Sequence, residues 1–157
     1  MQTMKLPSMT KHEIRSLIQR QALCRIAFRG TRFPYVAPFH YVTVRGILYF
    51  HLTNYGKKIR MLGENRRVCV EIEEYEPDLS SYRFVSLRGK LEPVTDPNER
   101  TEAIKKFSSE GKRRLSRNFL LAHGFDKNSD WSSFDPQEPL MIMKLVDIHE
   151  IVGLRSL

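Results

Sequence analysis

Between Leu23 and Ile151 the chain returns six times to a short run of β-forming residues, and residues that turn the backbone close each run. The runs cover residues 23–29, 35–44, 47–52, 68–75, 82–94 and about 140–151. Gly30-Thr31-Arg32 and Arg45-Gly46 are too short to hold a crossover helix, so the first three strands must form an antiparallel meander. Six antiparallel strands leave sticky edges unless the sheet closes on itself. The expected fold class is therefore mainly β: a small, closed or partly open six-stranded antiparallel barrel with flanking helices.

Helices are expected between these runs. Thr10 caps a segment reaching about Gln21, Glu13 completes a T-x-x-E capping box, and Ile14, Leu17 and Ile18 share one face. Residues 57–64 place Ile59, Met61 and Leu62 for a short helix. Asp96-Pro97 opens another, with Ala103, Ile104 and Phe107 inward, and residues 112–123 are expected to form a further helix with Leu115, Phe119 and Leu120 inward. The length of 157 residues suits one domain over residues 1–157. A hydrophobic fraction of 41% is too high for a disordered chain.

The beginning of the chain, MQTMKLPSMTKHEIRS, lacks the apolar core of a signal peptide, and no stretch approaches the roughly 18 apolar residues of a membrane span. A cytoplasmic location without membrane contact is the expectation. Cys24 and Cys69 lie in separate apolar runs without ligand spacing, so neither a disulfide nor a metal site is expected. With 26 basic and 18 acidic residues, the net charge of +8 favours anionic partners without choosing among them.

The stretch that carries chemistry is LYFHLTNYGKKIRMLGENRRVCVEI, residues 48–72. A strand passes through a polar turn into a helix whose first turn holds Lys57 and Lys58. A helix start is already partially positive, so lysines there are misplaced unless an anion binds. Free N–H groups beside cationic side chains make a phosphate site, and Thr53 or Asn54 adds a hydroxyl or amide donor. The plainer reading is two solvated lysines.

The longer run PYVAPFHYVTVRGILYFHLTNYGKKIRMLGENRRVCVEI resembles the cofactor-binding core of the pyridoxamine-5′-phosphate-oxidase-like split-barrel family, most of all its branch that includes nitroimidazole-resistance proteins. VSLRGKLEPVTDPNERTEAI resembles that family's fifth strand and following helix, and KLVDIHEIVGL its last strand. The resemblance is good over roughly residues 13–94 and loose beyond. It implies an FMN-binding split barrel, a homodimer, and a cofactor site at the subunit interface. Lys57 and Lys58 would then hold the FMN phosphate. Pro38, Phe39, His40 and Tyr41 would line the isoalloxazine ring through strand backbone and side chains, flanked by His51 and Leu52. One departure stands out. Pyridoxamine-phosphate oxidases carry an Arg-x-Val-Leu-Leu-Lys strand and a basic C-terminal substrate motif, whereas this chain reads Val36-Ala37-Pro38-Phe39-His40-Tyr41 and ends GLRSL. Vitamin B6 oxidation is not expected, and Arg60, Arg66 or Arg83 would have to assist the lysines if they do not suffice.

The resemblance also brings His40 and His51 near the flavin, where His51 is the candidate to donate a hydrogen bond or a proton. His12, His123 and His149 have no supporting spacing and are expected at the surface or an interface. Trp131 either stacks on a cofactor or covers an edge of the core. The function expected is an FMN-dependent oxidoreductase that passes electrons from a reduced nicotinamide or another donor to a small electron-poor acceptor. No Gly-rich nicotinamide fingerprint is present, so a donor would visit transiently. The alternatives are a non-catalytic flavin carrier and a haem-binding relative using His40, His51 or His149; a deazaflavin in place of FMN also stays open. Nucleic-acid binding is disfavoured, because Arg66-Arg67 and Lys112-Arg113-Arg114 lie on different elements without an ordered set of stacking aromatics.

Overall fold

The structure is a computed structural model describing residues 1–157. Six strands, β1 (Leu23–Phe28), β2 (Tyr35–Val44), β3 (Ile47–Leu52), β4 (Arg67–Tyr75), β5 (Tyr82–Pro93) and β6 (Met141–Arg155), close into a barrel in the order β1-β2-β3-β6-β5-β4. Every pairing is antiparallel, and β4 returns to β1 with Ile26 opposite Val70 and Phe28 opposite Val68. The period-two alternation fixes what lies inside. Ile26, Phe28, Phe50, Val70, Ile72 and Val85 are buried to 1% exposure or less in one cluster.

Helix α1 (Lys11–Arg20) packs on this cluster through Leu17, Ile14 and Ile18. It starts on the expected capping box: Thr10 Oγ1 accepts from the Glu13 amide, and the Glu13 carboxylate accepts from the Thr10 amide, both at 3.1 Å. The Tyr41 hydroxyl donates to the Ile18 carbonyl at 2.6 Å and fastens the helix to β2.

A second apolar cluster lies outside the barrel wall. Helix α3 (Pro97–Arg114) covers the outer faces of β2, β3 and β6 with Ala103, Ile104 and Phe107, meeting Val42, Tyr49 and Ile142. Its first turn is pinned by Glu99, which accepts from the Tyr49 hydroxyl at 2.8 Å and from Lys144 Nζ at 3.0 Å. Two short 3-10 segments, Arg117–His123 and Trp131–Ser133, complete the cover.

The expected helix over residues 112–123 is not formed. Residues 112–114 are the last turn of α3, Leu115 is extended, and Ser116 starts a separate 3-10 segment by accepting from the Asn118 amide. Packing decides the break: the Trp131 indole lies directly over Gly111 and donates to the Leu115 carbonyl at 3.3 Å. Strand β6 also runs further than expected, to Arg155, because Arg83–Ser86 of β5 pair with its last residues. A Cβ at Gly111 would sit 2.0 Å from the indole. Gly111→Ala is therefore expected to displace Trp131 and destabilise the fold by about 2–3 kcal/mol, read as a lower urea midpoint at unchanged slope.

Candidate functional site

Strand β3 ends at Leu52, and the chain turns through Thr53 to Gly56 into helix α2 (Lys57–Glu64), as expected from the sequence. Gly56 occupies the N-cap with φ of 91°, a conformation side chains resist. No side chain caps this helix, and its first turn contains no acidic residue. The free amides are met instead by Lys57, exposed, and Lys58, half-buried. Lys58 Nζ donates to Thr53 Oγ1 at 2.9 Å and to the Tyr55 carbonyl at 3.0 Å, and lies 4.9 Å from the Tyr55 ring centroid. Burial lowers the Lys58 pKa. An ammonium held over uncapped amides is a positive site with no anion from the chain itself.

Other sequence-predicted residues divide around the barrel wall. Leu52 and Tyr41 point into the barrel core at 1% and 2% exposure, and Phe39 packs against it, so a ligand could meet Leu52 and Tyr41 only through backbone. Pro38 and Asn54 are exposed. Arg60 and Arg66 are exposed near α2, but Arg83 is not available to the turn. It pairs with Glu74 at 3.7 Å, seven residues along β4 from Arg67, roughly 23 Å at strand rise.

His40 and His51 project from the outer faces of β2 and β3 into the second cluster, where they meet a residue that spacing did not single out. His123, expected at the surface, is 6% exposed and stands between them. His40 Nδ1 lies 3.0 Å from His123 Nε2, and His51 Nδ1 lies 2.9 Å from His123 Nδ1. The rings of Phe107 and Phe134 flank His40 and His123 with centroids about 5 Å away, and Phe125 stacks on His51 at 5.9 Å. Trp131 is 3% exposed within the same cluster, so it covers the core. The sequence did hold a signal for His123: in FLLAHGF the flanking residues are apolar, and Gly124 stops the segment in the left-handed conformation.

Both His40 and His51 bond His123 through Nδ1 inside the aromatic cluster, which leaves neither Nδ1 free to ligate a haem iron; His149 is exposed on β6. Cys24 and Cys69 are free, and burial raises the Cys24 thiol pKa. A cleft of about 640 Å³ contains none of the predicted FMN-site residues, though His149 is in its lining. It lies against β1, β4, β5 and β6, ringed by Arg29, Arg67, Arg88 and Lys90, with Asp147 as its one carboxylate. Arg67 stands directly opposite Lys90 in the β4–β5 register, a like-charge pair that an anion would relieve.

Residues 10–122 match the family model described as pyridoxamine 5'-phosphate oxidase. The chain belongs to this family. Its solved structural neighbours share the fold at low identity. A FAD-binding protein from Mesorhizobium loti is 19% identical with a TM-score of 0.69, the match covering 98% of this chain and 100% of that one. A candidate 5-nitroimidazole antibiotic resistance protein from Bacteroides thetaiotaomicron is 23% identical with a TM-score of 0.66, covering 98% and 92%. A FAD-binding protein from Mycobacterium smegmatis is 16% identical with a TM-score of 0.61, covering 95% and 97%. No curated protein matches the chain. No helix of the family member is long and apolar enough to cross a membrane.

The histidine cluster makes acid stability predictable. Burial pulls all three imidazoles below their usual pKa, His40 and His51 to about 4 and His123 to about 2, the last also opposed by its two neighbours. The unfolded chain protonates these groups near pH 6.5, so below that pH it binds protons the native state refuses. Stability is therefore full above about pH 6.5 and falls as the pH drops toward 4, by up to about 1.4 kcal/mol per pH unit for each histidine. The thermal midpoint should drop steeply over this window, and His123→Phe should flatten that slope by about a third.

Proposed function

We propose that the protein is a flavin-binding oxidoreductase whose cofactor, FMN, sits with its phosphate at the start of α2. The observation that carries this reading is the uncapped helix start itself: Gly56 with positive φ, no acidic residue in the first turn, and Lys57 and Lys58 in place of a cap. Thr53 and Asn54 add polar groups to the same turn, and Lys58 needs only to exchange its two neutral acceptors for a charged one. Residues and cofactor chemistry therefore fit. The FAD-binding proteins with this fold from Mesorhizobium loti and Mycobacterium smegmatis support a flavin in general, and the choice of FMN rests on the single phosphate site.

Bound flavin would supply reversible electron transfer between a reduced nicotinamide or other donor and a small electron-poor acceptor. The chain's own part is to hold and orient it. Lys57 and Lys58 balance the phosphate, the β2 backbone around Pro38 to Tyr41 offers hydrogen-bonding edges, and His51 behind the turn is the candidate proton donor. Vitamin B6 oxidation is not proposed, because β2 lacks both cationic anchors of the oxidases.

A homodimer belongs to the same reading. Helix α3 covers the outer face of β2 only from His40 onward, leaving Val36 at 56% and Leu23 at 48% exposure on bare barrel wall. The cationic cleft lies against β1, β4, β5 and β6. A second copy seated on this face would bury the apolar residues and bring cations toward a shared cofactor.

The deciding experiment is an absorption spectrum of the purified protein before and after adding FMN, with the chromophore identified by mass. Retained flavin bands at a stoichiometry of one per chain are expected, and a protein that stays colourless and refuses FMN overturns the reading. Lys57→Ala combined with Lys58→Ala should weaken FMN binding by about 2–4 kcal/mol, roughly 30-fold to 1,000-fold in Kd. Light scattering should give two chains per particle, and Val36→Glu should shift the protein toward monomer.

A further inference from the structure

Three neutral imidazoles hold three N–H donors and three lone pairs. The bonds linking His40 to His123 and His123 to His51 use two of each. One donor and one lone pair remain, and they fall at opposite ends of the trio, on His40 Nε2 and His51 Nε2. Neither bond involves a carboxylate, so no strong base traps a proton along the way. Phe107, Phe119, Phe125, Trp131 and Phe134 surround the three rings.

The two ends have different surroundings. His40 is 3% exposed, and its Nε2 has no partner within the protein. A polar atom stranded in a native interior requires a reason. Its ring feels the charges of Arg114 and Glu110, and these residues, with Gln19, Gln21 and Lys106, line a polar cavity of about 380 Å³ that His40 also borders. That volume admits water. At the other end His51 is 8% exposed, and the charge acting on it is Lys58 of the α2 turn. Gly124, which follows His123, packs against Thr53 of that turn.

We propose that His40, His123 and His51 form a proton relay between the polar cavity and the Thr53–Lys58 turn. To deliver a proton, His51 gives up the hydrogen on Nε2. The hydrogen on His123 Nδ1 moves to His51 Nδ1, that on His40 Nδ1 moves to His123 Nε2, and cavity water replaces it at His40 Nε2. One proton enters and one leaves, and all three rings have exchanged tautomers. The next passage must run backward to restore them. A relay of this kind suits a partner that takes up a proton and later returns it, as a flavin does on reduction and reoxidation. That pairing rests on the function proposed above; the relay rests on the three rings alone.

The test reads the exchange of the two bridging N–H protons with solvent by NMR, using histidine-labelled full-length protein without cofactor near neutral pH. A relay lets them exchange on the order of tenfold or more faster than the flanking amides of β2 and β3, which must wait for strand opening. His40→Phe, which blocks the cavity end, should slow the His123–His51 bridge toward the amide rate while amide protection stays the same. Bridging protons that exchange no faster than those amides in the natural protein overturn the relay, whatever the variant does. With FMN bound, His123→Phe should slow proton uptake on chemical reduction by on the order of tenfold, followed with a pH indicator, at unchanged FMN affinity. Unchanged uptake overturns the relay's link to the cofactor turn. If FMN does not bind, the flavin reading falls and the exchange comparison alone decides the relay.

Discussion

The pairing of β4 back onto β1 is the constraint on which the rest of this structure depends. Without it the meander would end in two open edges; with it every strand has two neighbours over part of its length, and one set of alternate side chains is sealed inside. Closure also gives the wall a second face. What faces outward must meet solvent, a partner or a covering helix, and the outer residues of β2 follow that rule in two halves: Val36 and Pro38, before His40, stay bare, while those from His40 onward lie under α3. The site proposed for the cofactor and the histidine trio both follow from where the cover begins.

The second cluster is unusual in what it buries. An aromatic layer built only of Phe, Trp and Leu would pack well between α3 and the barrel, yet three imidazoles occupy its centre and leave one nitrogen unsatisfied. Such a group costs about 1–3 kcal/mol relative to a satisfied or apolar replacement. The same burial that imposes this cost keeps the three rings neutral, and neutrality is what allows each to donate through one nitrogen while accepting through the other. Acid sensitivity and hydrogen-bonded continuity are thus two results of one packing decision. The α2 turn shows the complementary situation, with cations placed where the backbone is already positive.

Most of the strand pattern was legible because burial on one face of a sheet imposes a period of two, and the chain obeys it at Cys24, Ile26 and Phe28 and again at Leu48, Phe50 and Leu52. The first helix was equally legible, since its capping box is a local motif. The break after α3 was not. Nothing between Lys112 and His123 forbids a helix; the helix stops where Trp131, from a later loop, settles onto Gly111. The site followed the same division. The turn from Thr53 to Lys58 is contiguous in sequence and its lysines at a helix start could be read directly, whereas His123 lies 72 residues from His51 and only tertiary packing brings them together.

The sequence by itself determined the strands, their antiparallel sense, the capped first helix and the lysine-bearing turn, because each depends on residues within a few positions of one another. Only the tertiary structure decided which histidines share a buried hydrogen-bonded chain, that Trp131 belongs to the core, and which part of the barrel wall stays bare. Those outcomes depend on contacts between segments far apart in the chain, where one residue's environment is set by shape and burial that no local pattern encodes.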